Sequence, residues 1–309
     1  MTRNLVFMFS GQGSQYVGMG KELYENYKEA KNILDSANEV LDFDLKSLIF
    51  NGPEEKLNNT KNTQPAIYTV SAMIKKVLSE NGLQPAAAAG HSLGEYSALY
   101  AAGVLSFEDG LKLVRRRGEL MDQADPKGLG TMAAVIGLEA EEVEAVLSKI
   151  DGIVTIANYN SPTQVVISGE VEAVGEAEKS LAEKGAKRVI PLSVSGAFHS
   201  PLMEPAKKEL KNAINAVEFK EAQIPLIANV TADYVKDSAE IKSTLIKQLD
   251  NSVRWLETIE KFKEDGYTDY VEVGPGRVLK GLMRRIDRSL NAYNVEDQKS
   301  LNKTLKKLK

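Results

Sequence analysis

The 309 residues carry 39 Lys+Arg against 43 Asp+Glu, a net charge of −4, so the overall charge gives no reason to expect nucleic acid as a partner. Cysteine is absent, which excludes disulfides, thiol catalysis and Cys-ligated zinc. The length suffices for a large core and suggests two domains or subdomains. With no apolar run near 18 residues and too short an N-terminal apolar stretch for a signal peptide, the expectation is a cytoplasmic protein with no membrane span.

Asn4 to Phe9 reads as a buried strand that runs into Ser10-Gly11-Gln12-Gly13-Ser14-Gln15. A dinucleotide fingerprint would need glycine at position 16, where Tyr16 stands, so that reading is rejected. The loop, with backbone donors at a strand end, is either the wall of a site or a tight connection only. Helical patterns follow at about 20–40 and 65–81, the second with Pro65 near its start and Gly82 past its end. Both read as structural.

A small-residue strand, Ala86 to Ala89, then leads into Gly90-His91-Ser92-Leu93-Gly94, a G-x-S-x-G followed by helix formers to Ala102 and a stop at Gly103. The pattern is that of a nucleophile elbow, in which a serine sits on a strained strand-to-helix turn. Its glycines let the backbone turn sharply, and the N–H groups of the helix start can face an oxyanion. Chance supplies the pattern in roughly one chain in ten of this length, so an ordinary helix start is the competing reading.

Ser106-Phe107-Glu108-Asp109 opens a helix of about 107–122 with a capping-box-like start. Projected at ~100° per residue, Gly110, Leu111, Leu113, Val114, Gly118, Leu120 and Met121 share one half of the wheel. Arg117 falls among them; Arg115 and Arg116 do not. A guanidinium directed at a core needs an anion. That anion is either an Asp or Glu in a structural ion pair, or the carboxylate of a ligand held bidentately.

From 126 to 195 the character changes. After a linker-like Pro126–Gly130, the expected order is strand Thr131–Ile136, helix Glu139–Ile150, strands Ile153–Ala157 and Gln164–Ser168, helix Val171–Lys184 and strand Lys187–Leu192. This β-α-β-β-α-β series is the ferredoxin-like pattern. Asn158-Tyr159-Asn160-Ser161-Pro162 reads as the turn between its middle strands, its amides serving the turn or facing a cleft.

The second of only two histidines follows in Ser195-Gly196-Ala197-Phe198-His199-Ser200-Pro201. Ser200 and Pro201 suit the N-cap and first position of a helix, which leaves His199 just outside it. His199 is a surface residue or, by elimination, the base that Ser92 needs, since His91 diverges from Ser92 within the elbow. The remainder alternates again: strand Ile224–Val230, helices at about 239–248 and 253–265, strand Tyr270–Val273, turn Gly274-Pro275-Gly276 and a helix of about 277–288 that ends the fold proper. From Lys280 to Lys309 nine Lys/Arg face three Asp/Glu, a solvated basic face or frayed tail, or a dock for an acidic partner.

Together these pieces resemble the malonyl-CoA:acyl-carrier-protein transacylase family along essentially the whole chain. Phe9 to Gln15 is similar to its FxGQGSQ, with Ser10 where proline is common. Gly90 to Glu95 is similar to GHSxGE, Arg117-Gly118 with Met121 to RGxxM, Phe198-His199-Ser200 to FHS, Gln248 with Asn251 to QLxxPVxW, and Gly274-Pro275-Gly276 to its GPG turn. Ser252 departs from the family's usual proline, with no catalytic consequence expected.

The resemblance implies an α/β-hydrolase-like parallel-sheet core, 1–125 and 196–309, with an inserted ferredoxin-like α+β subdomain, 126–195. It implies Ser92 as nucleophile, His199 as base and then acid, and Gln248 orienting His199 through its main-chain carbonyl. The Gln12 and Leu93 N–H groups would form the oxyanion hole, Arg117 would bind the malonyl carboxylate, and Phe198 would leave little room for a C2 methyl; His91 is expected to line the substrate site. No cofactor or metal is implied: the substrates are malonyl-CoA, a coenzyme A thioester, and phosphopantetheinyl acyl carrier protein. Arg284, Arg285 and Arg288 are the candidate carrier contacts. A serine thioesterase or esterase of a carboxylated acyl-CoA, and a non-catalytic carrier-binding scaffold, stand as alternatives.

Overall fold

The run Leu-Val-Phe-Met-Phe has no polar face, and it forms a strand buried on both sides in the middle of a six-stranded sheet. The computed structural model describes residues 4–125, 127–194 and 196–309; Met1–Arg3, the linker residue Pro126 and Ser195 lie outside the described residues. Ten strands are described: β1 Leu5–Phe9, β2 Ala87–Gly90, β3 Gly130–Ile136, β4 Val154–Ser161, β5 Gln164–Glu170, β6 Arg188–Pro191, β7 Leu226–Ile227, β8 Tyr234–Val235, β9 Asp269–Val273 and β10 Asn291–Val295.

The larger sheet has the order β10-β9-β1-β2-β7-β8, parallel throughout except for the antiparallel β7–β8 pair. Phe9 pairs with Gly90 at the ends of β1 and β2, so the Gly11–Gln15 loop and the elbow leave the sheet side by side. A bond from the His91 N–H to the Phe9 carbonyl, 3.0 Å, fixes their spacing. Sites in parallel sheets form at this carboxyl edge.

The smaller sheet is antiparallel with the order β4-β5-β3-β6. Helices Ala140–Leu147 and Val171–Lys184 cover it, and their Val143, Leu147, Val174 and Leu181 share a separate apolar core with Val135, Ile156 and Ile167. The order β-α-β-β-α-β expected from the sequence is therefore present, and the two sheets together give the expected α/β architecture with a small α+β unit.

Several local expectations are corrected. The helix expected from position 65 begins at Thr60, capped by Asn59, and Pro65 lies inside it. Proline supplies no N–H for the Lys61 carbonyl; Arg115 Nη1 donates to that oxygen instead, at 3.0 Å. Asn158 to Ser161 form no turn but continue β4 through two register shifts, and the hairpin closes over Pro162 and Thr163. The expected strand 224–230 shrinks to β7, because the chain turns back to pair as β8. Nor does the fold end at 288: β10 forms the sheet edge, and helix Gln298–Leu308 buries Leu301 and Leu308, so Lys303, Lys306, Lys307 and Lys309 stand on the solvated side of an amphipathic helix rather than in a frayed tail. Among the described residues no helix is long and apolar enough to cross a membrane.

Candidate active site

The elbow is built around two contacts that only glycine allows. A Cβ on Gly90 would lie 1.9 Å from the Gly94 carbonyl oxygen, and one on Gly94 would lie 2.1 Å from that of Phe9. Backbone this close forces a sharp bend, and Ser92 at its tip takes φ 52, a left-handed conformation costing a non-glycine residue about 1–3 kcal/mol. Asn229 braces the bend from across the sheet: its Oδ1 accepts from Ser92 N–H at 2.7 Å and its Nδ2 donates to the Gly90 carbonyl at 2.7 Å. Helix Gly94–Ala101 starts directly behind the serine. The Leu93 N–H and, across the gap, the Gln12 N–H have no acceptor among the described residues.

Ser92 Oγ lies 2.7 Å from His199 Nε2. On the other side of the ring, Nδ1 lies 2.8 Å from the Gln248 carbonyl and 3.2 Å from that of Asn251. Carbonyl oxygens only accept, so Nδ1 carries the hydrogen and Nε2 presents a lone pair to the serine hydroxyl. His199 is buried, and like Ser92 it takes a positive φ, 58. Burial, then the nearby Arg117 charge, hold its pKa down at about 3, so the ring is neutral at physiological pH.

Arg117 projects from helix Phe107–Gln123 into the same place and is 1% exposed. Its Nη1 donates to Gln64 Oε1 at 3.0 Å; its Nη2 donates to Gln248 Oε1 at 2.9 Å and to Ser92 Oγ at 3.2 Å. Among the described residues none offers it a carboxylate within ion-pair distance. The structural ion pair considered from the sequence is thereby ruled out: the guanidinium is held by neutral oxygens, beside the serine. The Gln248 amide is in turn oriented by donating to the Ser92 carbonyl at 2.9 Å and to Glu95 Oε2 at 2.8 Å. Burial raises the Glu95 pKa to about 7, against the opposing pull of Gln248, the Asn229 N–H and Arg117.

Ser92, Arg117 and His199 line a cavity of ≈ 370 Å³ together with Gln12, His91 and Phe198. His91 Nε2 lies 2.8 Å from Asn160 Oδ1, and its ring packs edge-on against Trp255, away from Ser92. The Gln248 and Leu93 side chains are not part of the cavity lining. Gln64, Glu95, Asn229 and Asn251 carry no role expected from the sequence, whereas the Asn160 amide takes the cleft-facing alternative. Gln64 stands just before the helix expected at 65–81, and its burial, which demands a polar partner, shows only in the fold. The amides at 158 and 160 face the cleft because they stand on a strand and not in a turn.

The acyl transferase domain family matches residues 6–306. The chain belongs to that family. It is 47% identical, over 99% of its length and 97% of the relative's, to a protein of Bacillus subtilis called malonyl CoA-acyl carrier protein transacylase. A crystal structure of an acyl carrier protein S-malonyltransferase from Vibrio cholerae superposes with a TM-score of 0.94 at 45% identity, covering 97% of this chain and 99% of that one. A malonyl-transacylase solved in complex with its type II PKS acyl-carrier protein gives 0.95 at 42% identity, covering 98% and 99%. The acyltransferase fold is thus shared along the whole length, both sheets included.

Proposed function

We propose that this acyltransferase moves malonyl from malonyl-CoA to the phosphopantetheine thiol of acyl carrier protein, for fatty-acid or polyketide synthesis, through an ester on Ser92. The observation that carries the reading is the buried Arg117, which meets no carboxylate within ion-pair distance among the described residues and sets Nη2 3.2 Å from the nucleophile. A carboxylate on an acyl group attached to Ser92 supplies the anion that the guanidinium lacks. The names of the relatives agree with this.

In the first half-reaction Ser92 Oγ attacks the thioester carbonyl while its proton passes to His199 Nε2. The N–H groups of Gln12 and Leu93 hold the developing oxyanion. Collapse breaks the C–S bond, and the departing CoA sulfur takes the proton from Nε2. In the second half the carrier thiol gives its proton to Nε2, its sulfur attacks the ester, and Ser92 Oγ leaves and recovers that proton. The Gln248 main-chain carbonyl keeps His199 in the one tautomer that serves both halves. Arg117 retains the carboxylate throughout, and Phe198 and His91 shape the space beside it.

The same reading treats 1–125 with 196–309 as the catalytic unit and 126–195 as an insertion; the strands of each sheet fall within those ranges. The cytoplasm is the proposed compartment. Carrier docking is assigned to Arg284, Arg285 and Arg288, which line a cleft of ≈ 680 Å³ against Asn291 to Tyr293. Arg285 also bonds Gln164 at the start of β5, so the cleft borders both sheets. A relative solved with its carrier protein supports a docking surface on this chain.

Malonyl-CoA turnover with and without phosphopantetheinyl carrier protein tests the reading. Malonyl-carrier protein should accumulate with little free malonate. Rapid multiple-turnover hydrolysis without carrier would favour the thioesterase instead. Charge reversal at Arg284 and Arg288 should raise the carrier KM at low salt and leave the malonyl-CoA KM unchanged; an unchanged carrier KM would put the docking face elsewhere.

A further inference from the structure

The chain just past Gln248 joins the two sheets. Val253 donates its N–H to the Ala157 carbonyl at 2.8 Å and accepts the Tyr159 N–H at 2.9 Å, so it runs as a short parallel neighbour of β4. At this point β4 slips register, between Ile156 and Asn158. A bulge at a sheet edge leaves backbone groups that need a partner. Ser252 supplies one: its hydroxyl donates to the Ile156 carbonyl at 2.5 Å. One residue earlier, the Asn251 carbonyl is the second acceptor of the His199 Nδ1 hydrogen. The Asn251 side chain is tied back in turn to the Lys247 carbonyl and to Asp250 Oδ1, both at 2.9 Å.

We propose that Ser252 is a positioning residue for His199: its hydroxyl pins residues 251–253 to the small sheet and so holds the Asn251 carbonyl against the imidazole. The family's usual proline would stiffen the same segment through its fixed φ; here a side-chain hydrogen bond does so. The small sheet thereby takes part in setting the base, although it contributes neither Ser92 nor His199. The inference rests on His199 acting as the base, and it adds a residue whose hydroxyl touches no substrate.

The test compares Ser252→Ala, Ser252→Thr and His199→Ala in the full-length chain. Two quantities are read: kcat and KM for malonyl-CoA, and the rate at which a neutral fluorophosphonate labels Ser92. Ser252→Ala should lower kcat and the labelling rate together, by about two- to tenfold, the range for one neutral hydrogen bond, with the malonyl-CoA KM unchanged. Ser252→Thr, which keeps the hydroxyl, should restore both. Unchanged rates in Ser252→Ala, or a loss that threonine does not restore, would overturn the proposal. His199→Ala separates the two possible failures. If it labels at the wild-type rate, the base assignment falls and the proposal with it. If it is inert while Ser252→Ala is unaffected, the proposal alone falls.

Discussion

Replacing Arg117 with alanine separates the role of a charged acyl group from that of the nucleophile. In the wild type the guanidinium is 1% exposed and bonded to Gln64, Gln248 and Ser92 Oγ. On the proposed reading, malonyl on Ser92 sets its carboxylate in an ion pair with this buried guanidinium. Deleting one partner of a buried charge pair costs about 2–5 kcal/mol, roughly 30- to several-thousand-fold in rate. Arg117→Ala also leaves a cavity and deprives the Gln64 and Gln248 oxygens of a donor, and those losses fall on every substrate alike. The informative quantity is therefore the ratio of kcat/KM for malonyl-CoA to that for acetyl-CoA, measured as transfer to carrier protein. It should fall at least tens of fold. The variant makes a second prediction with acetyl-CoA: Arg117 is one of the charges that depress the His199 pKa. Without it the imidazole protonates more readily, so the acid limb of kcat/KM should move to higher pH. Equal losses for the two acyl groups would refute the argument that Arg117 holds the carboxylate.

Two further predictions concern stability. The Glu95 pKa is raised from 4.5 to about 7 by burial, so the native state holds a proton that the unfolded chain releases. Its contribution to stability is fully present below about 4.5 and is lost as pH rises through about 7; Glu95→Gln removes this dependence. Urea melts of both proteins should therefore show the stability difference moving in favour of the variant over that interval, and a pH-independent difference would contradict the assignment. Gly94→Ala forces a Cβ to within 2.1 Å of the Phe9 carbonyl oxygen, backbone that cannot turn aside. Its Tm should drop by several degrees and Ser92 labelling should slow, whereas an unchanged melt would show that the elbow tolerates a side chain.

The candidate site is legible in the sequence to the extent that it rests on local chemistry. The elbow announced itself through glycine spacing, Arg117 through helical periodicity, and His199 through the scarcity of histidine. Motifs spread over the whole chain then supplied the family. The supporting residues were not legible in the same way. Asn229, Gln64 and Asn251 act through contacts spanning 52 to 137 positions of sequence, and no local pattern marks such partners. Boundaries failed where tertiary contacts outweighed local signals. Arg115 satisfies the carbonyl left bare by Pro65, so a proline that reads as a helix start sits inside the helix. Asn158 and Asn160 have the composition of a turn, yet they stay in β4 because Val253 and His91 occupy their far side.

Mass spectrometry of the protein after brief exposure to malonyl-CoA decides whether Ser92 carries malonyl. A malonyl adduct is expected on the peptide containing Ser92, absent from Ser92→Ala and discharged on adding phosphopantetheinyl carrier protein. No adduct, or one on another residue that still discharges to carrier protein, would contradict the assignment of Ser92.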